Sequence, residues 1–135
     1  MELNEILDQL SSLTNERTKK YYVSGGAKEP VFGCTISSMK PLFKQLKFNQ
    51  ALADQLYDTG NYDAMYLAGM IAEPKKMTKQ NFDRWISKAY FFMISDFIVS
   101  VTLAEADIGA EVADNWIESD KELTISAGWK TYEIG

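Results

Sequence analysis

Residues 52–86 read LADQLYDTGNYDAMYLAGMIAEPKKMTKQNFDRWI, and their punctuation decides the fold. Leu52, Leu56 and Tyr57 stand at helical spacing, and Gly60 stops them. Tyr62 to Ala72 is apolar nearly all round, through Ala64, Met65, Leu67, Ala68, Met70 and Ile71, as a helix buried on every side must be. Its small residues allow neighbours to come close. Glu73-Pro74 closes it, because the residue before a proline is pushed out of the helical region. Thr78 predicts an N-cap for a further helix through Phe82, Trp85 and Ile86. No run alternates as a strand does, and no Asn-Gly or Asp-Gly hairpin turn occurs.

The same rhythm extends in both directions. Leu3, Ile6, Leu7 and Leu10 predict an amphipathic helix ending near Leu13, and a polar helix from about Asn15 to Tyr22 carries Arg17, Lys19 and Lys20. Gly25, Gly26, Pro30 and Gly33 make 24–35 a loop. Met39, Leu42, Phe43 and Leu46 restore the stripe, with Pro41 expected in the first turn, where a missing N–H costs nothing. A buried helix at 91–105, a helix over Ile108–Ile117 with Val112, Ala113 and Trp116 on one face, and a last helix from about Lys121 complete the chain. Short helices joined by short turns imply an all-α fold of helix pairs stacked in layers, one domain over residues 1–135. The sequence stops at Tyr132-Glu133-Ile134-Gly135 without a polar capping element, so further helices of a longer fold, or a partner chain, are expected to cover that end.

Composition removes most enzymatic chemistry. Among 135 residues there is no histidine and one cysteine, which excludes Ser-His-Asp triads, Cys-His pairs, His-ligated zinc, CxxC metal knuckles and intramolecular disulfides. Neither metal nor cofactor is expected, and a reducing, cytoplasmic setting is. MELNEILDQL has no basic or apolar leader region, and the greasy stretch 89–104 is short for a bilayer and carries Asp96, so no membrane association is expected. The net charge of −5 is uneven: residues 1–50 hold seven basic and five acidic side chains, residues 101–135 two and eight. A local anion-binding surface remains possible in the earlier part.

Asp96, inside FFMISDFIVSV, is the most informative residue, because an unpaired buried carboxylate is expensive. Phe92, Asp96, Val99 and Ser100 fall on one face of a regular helix, and an aromatic beside a carboxylate suits a planar cation. Alternatively Asp96 caps a neighbouring helix, or accepts from Arg84 or a backbone N–H. Cys34 lacks a basic activator nearby and reads as a small, incidentally placed thiol rather than a nucleophile. The glycines form no phosphate-binding motif. Lys75, Lys76 and Lys79 flank a helix start and either hold phosphate or face water. Trp85, Trp116 and Trp129 occupy core-like helical positions and are expected to pack.

Three segments, PVFGCTISSMKPLFKQLK (30–47), the 52–86 stretch and NWIESDKELTISAGWKTY (115–132), together resemble the AlkD-like DNA alkylation repair family of HEAT-like repeat DNA glycosylases. The most specific features are Leu56-Tyr57-Asp58-Thr59-Gly60, Tyr62-Asp63, Pro74 and Asp83-Arg84-Trp85. The resemblance implies an α-α superhelix of HEAT-like repeats, this chain being its N-terminal portion, and double-stranded, alkylated DNA as partner. It also implies excision of cationic N-alkylpurines such as 3-methyladenine and 7-methylguanine, with neither metal nor histidine. In the family a tryptophan and an aspartate four residues apart, with an arginine on a later helix, stabilise the cationic sugar. Asp96 matches that aspartate and is the implied catalytic residue; Phe92 stands at the tryptophan's position, and Tyr22 is the second implied cleft residue. The arginine pair is replaced by Ile125-Ser126, ahead of Ala127-Gly128-Trp129. Lys20, Lys75 and Lys76 are the implied DNA-backbone contacts. Two functions follow: a weak glycosylase for cationic bases, or a catalytically silent module that binds DNA or a protein.

Overall fold

The computed structural model describes residues 1–135 and contains helices and turns but no strand. Two units can be distinguished, Met1–Ala72 and Glu73–Gly135.

In the first unit the helices are α1 (Leu3–Ser12), α2 (Glu16–Gly25), α3 (Ile36–Leu46), α4 (Gln50–Asp58) and α5 (Tyr62–Ile71). The helix that is apolar on every side, α5, packs against α1, α3 and α4. It buries Tyr62, Asp63, Ala64, Met65, Leu67, Ala68 and Ile71, so its all-round pattern reports its central place. Ile6 and Leu10 bring the apolar stripe of α1 into the same core. Caps set the boundaries: Asn15, Thr35, Asn49 and Asn61 each accept a backbone N–H of the helix they precede. Asn49 also donates its own N–H to Ile71 O (2.8 Å), which ties the start of α4 to the end of α5.

Two expectations about this unit change. The helix α2 runs three residues past Tyr22 and ends only where Gly26 adopts a positive φ of 124°. Pro41 is the sixth residue of α3 rather than part of its first turn. It lies on the exposed side, where water can satisfy the Ser37 carbonyl that has no donor.

The second unit begins with a 3-10 turn at Pro74–Lys76, followed by α6 (Lys79–Lys88). Thr78 caps α6 as expected, in a reciprocal capping box with Asn81. The greasy stretch forms a continuous helical rod of α7 (Phe92–Ile94), a π turn (Ser95–Val99) and α8 (Ser100–Ala104). The helices α9 (Gly109–Trp116) and α10 (Glu122–Ile134) complete the unit, α10 packing on α8, α9 and the π turn. The approach of α10 to α9 is close: a Cβ on Gly128 would lie 2.8 Å from Ile117 Cγ2 and 3.1 Å from Ala113 O. The buried face of α10 is accordingly small, made of Thr124, Ala127, Gly128 and Thr131. No helix is long and apolar enough to cross a membrane.

Candidate functional site

The π turn positions Asp96. Its wider turn interrupts the regular ladder, and Ser100 Oγ donates to the carbonyls of Ser95 (2.8 Å) and Ala127 (3.0 Å) at the point of interruption. This anchors the rod to α10. Asp96 is half-buried, and its donors are hydroxyls. Ser126 Oγ on α10 lies 3.0 Å from Oδ1 and 3.1 Å from Oδ2, and Ser95 Oγ lies 3.0 Å from Oδ1. Ser126, thirty residues away in sequence, thus meets the carboxylate directly, as a neutral donor. These hydroxyl donors orient the carboxylate and bring no opposite charge to it.

The expectation that Phe92, Asp96, Val99 and Ser100 share one face is corrected. Phe92 is 43% exposed, whereas Val99 and Ser100 are fully buried. The π turn inserts one extra residue per turn, so the face carrying Phe92 and Asp96 rotates away from that of Val99 and Ser100. Phe92 instead meets Phe97 edge to face, with ring centroids 5.8 Å apart, and Phe97 is also exposed. Neither Arg84 nor a helix start supplies the hydrogen bonds described at Asp96.

Trp85 and Trp116 pack in the core as expected, but Trp129 is 56% exposed. The close α9–α10 approach explains the difference, because only small residues fit between the helices and Trp129 falls one position beyond Gly128. Trp116 donates its indole N–H to Asp83 (2.9 Å) and lines a cavity of about 360 Å³ with Asp83, Ile86, Lys121 and Thr124. Asp96 and Phe92 lie outside that cavity's wall.

Lys75 is exposed on the 3-10 turn. Lys76 pairs with Glu73 (2.9 Å) and Lys79 with Asp83 (2.6 Å), so the basic cluster read from sequence is partly neutralised by its neighbours. The start of α6 also uses donors internally, since the Thr78 and Asn81 backbone N–H groups point into the capping box.

Tyr22 and Lys20 belong to the first unit. Lys20 is exposed. Tyr22 is half-buried, donates to Cys34 O (2.9 Å) and packs edge to face on Tyr62 at 4.7 Å, so its hydroxyl is committed to the fold. Burial, with the Asp63 charge adding to it, pushes its phenol up to about 12. Cys34 is fully buried and donates to Leu10 O (3.2 Å), and burial followed by Asp63 pushes the thiol up to about 12. The structure makes it a packed thiol, buried rather than incidentally placed in the loop.

Sequence reasoning passed over two features. Asp63, only 1% exposed, accepts backbone N–H groups from Phe32 (2.7 Å), Gly33 (3.3 Å) and Cys34 (2.7 Å). Its presence in an otherwise apolar helix was the available signal. The second is a basic group at the end of α3: Lys40 and Lys44, four residues apart on a helix without an acidic residue, and Lys47 just past its C-terminus, all exposed. None of the three is held in an ion pair. The spacing of Lys40 and Lys44 is legible in the sequence.

No three Cys, Asp or Glu side chains gather as a metal site. The DNA alkylation repair enzyme family model matches residues 6–132. The uncharacterized protein Lmo0209 of Listeria monocytogenes is 29% identical over 129 residues, and Lin0241 of Listeria innocua is 27% identical. Each match covers 92% of this chain and 58% of the relative, so the chain spans little more than half their length. A solved structure described as a new family related to the HEAT-like repeat DNA glycosylases, with affinity for branched DNA structures, superposes with a TM-score of 0.96 at 55% identity. That match covers 98% of this chain and 56% of the other. The all-helical HEAT-like repeat fold and the match along nearly the whole sequence agree: this chain belongs to the DNA alkylation repair family.

Proposed function

We propose that the chain binds DNA through backbone contacts and prefers branched structures to continuous duplex. The carrying observation is the group Lys40, Lys44 and Lys47, two exposed ammonium groups on α3 and a third just past its end, with no ion pair to neutralise them. Phosphate neutralisation supplies most of non-specific DNA affinity, and it needs cations without other partners. Lys20 in the first unit and Lys75 in the second add contacts of the same kind; Lys76 contributes less because Glu73 competes for it. The branched preference is supported by the solved structure with affinity for branched DNA structures. The test is binding of a three-way junction and a matched duplex across a salt series. The triple change of Lys40, Lys44 and Lys47 to Ala is expected to flatten the slope of log K against log salt by up to about 2.7, at ~0.9 per phosphate contact. Salt-independent binding, or an unchanged slope, counts against this reading.

A weak excision activity on cationic N-alkylpurines is a second reading, favoured by one observation. Asp96 faces neutral hydroxyls while Phe92 lies exposed on the same rod, so a carboxylate and a π face remain for a cation. An alkylated purine is already a good leaving group. Release of 3-methyladenine or 7-methylguanine that disappears in Asp96→Asn supports this reading, and release equal to a buffer control removes it.

A further inference from the structure

The turn between α3 and α4 is three residues long, Lys47-Phe48-Asn49, and both of its ends are fixed. Lys47 donates its N–H to Phe43 O (2.7 Å). Asn49 caps α4 and donates to Ile71 O (2.8 Å). Between them Phe48 is 64% exposed, the most exposed large apolar residue in the chain. Its ring is supported at the base by Phe43, edge to face with centroids 5.5 Å apart. Lys47 holds φ 60° and ψ −166°, a region that glycine adopts readily and other residues do so at a cost, and it is the one non-glycine residue with positive φ. Glycine would remove that strain. The chain instead keeps a lysine there, three residues after Lys44, beside an aromatic ring that projects into solvent.

We infer that Phe48 is a stacking wedge: the lysine row lies along a DNA strand, and the phenyl ring stacks on an unpaired base or an exposed terminal pair at a branch point. The inference rests on the DNA-binding reading above and adds the feature of the DNA that is recognised. Charge complementarity selects the partner. A bare aromatic suits a protein or a base equally well, but one placed at the end of three unneutralised lysines suits a polyanion that carries π faces. Continuous duplex hides those faces in its stack. A three-way junction exposes them at no further unstacking cost, so the wedge yields a preference for branches without reading sequence. The rigid turn matters because a ring already fixed in place loses little freedom on stacking.

The experiment compares wild type, Phe48→Ala and Phe48→Trp on a three-way junction and on a matched duplex, at one salt concentration. A second junction carries 2-aminopurine at the branch, so that a change in stacking is read by fluorescence. Phe48→Ala is expected to lose about tenfold in junction affinity, with less than about twofold change on duplex, and to lose the fluorescence response. Phe48→Trp is expected to retain both. Phe48 is exposed, so a thermal melt of the Ala variant should overlay wild type. Equal losses on junction and duplex overturn the wedge, because they mean general weakening. An unchanged junction affinity overturns it as well and leaves a protein contact as the use of this ring. Wild type that binds junctions while Phe48→Ala binds them equally removes the wedge alone; wild type that binds no DNA removes the wedge and the DNA-binding reading together.

Discussion

Asp63 and Asp96 are both carboxylates set in helices of largely apolar sequence, one in each unit, and the fold treats them oppositely. Asp63 is sealed and accepts three backbone N–H groups from the 32–34 segment. Asp96 is half-open and accepts from the side-chain hydroxyls of Ser95 and Ser126. Backbone donors are fixed in place, and three of them around one buried carboxylate make a structural clamp. Hydroxyl donors leave the carboxylate accessible, and a single substitution changes them. A carboxylate amid apolar residues therefore does not by itself mark a functional site. The chemistry of its donors and its access to solvent separate the two cases.

The largest expected effect breaks the clamp. Asp63→Ala leaves three backbone donors without their acceptor and is expected to cost roughly 3 kcal/mol or more, at ~1–3 kcal/mol for each unsatisfied group. Chemical denaturation measures it. A loss below about 1 kcal/mol would mean that water replaces the carboxylate and that the contrast between the two sites is shallow.

An intermediate effect probes the same loop through pH. The Cys34 thiol and the Tyr22 phenol are both raised to about 12 in the folded chain, from ordinary values of 9.0 and 10.0. A raised acid favours its neutral form in the native state. This stability is complete below the unfolded value and is lost as pH climbs through the folded one. Melting temperature is expected to hold up to about pH 9 and then fall steadily towards pH 12. The native thiol should also resist alkylation at pH 8 and react once denaturant is added. Rapid labelling of native protein would show that the loop opens more readily than its hydrogen bonds imply.

The smallest effect belongs to the open site. Ser126→Ala removes a hydroxyl from a half-exposed carboxylate that water can solvate, and about 1 kcal/mol or less is expected on a denaturation curve. A cost comparable to that of Asp63→Ala would make Asp96 a second structural clamp and weaken its standing as a functional residue.

Much of the fold was legible before any coordinates. The stop at Gly60, the all-round apolar α5, the Thr78 cap and the amphipathic α1 each follow from a few adjacent residues, and each appears in place. The site was legible only in part. Asp96 and Phe92 stood out, but the π turn that rotates them away from Val99 and Ser100 left no signature in the spacing. The donors of Asp96 were missed because Ser126 lies thirty residues away in sequence. Helical spacing alone puts Trp129 inside, and the close approach of α9 at Gly128 turns it out to solvent.

What the sequence determined by itself is therefore local. It set the helix periods, the caps, the breaks at glycine and proline, and, through the absence of histidine, the exclusion of imidazole chemistry. Side-chain spacing and first-turn hydrogen bonds act within a few residues, so they can be read along the chain. Only the tertiary structure decided which carboxylate is clamped and which is open, which tryptophan faces solvent, and that Ser126 meets Asp96. Those outcomes depend on partners brought together from about ten to about thirty residues apart by the path of the backbone, and no local pattern specifies that path.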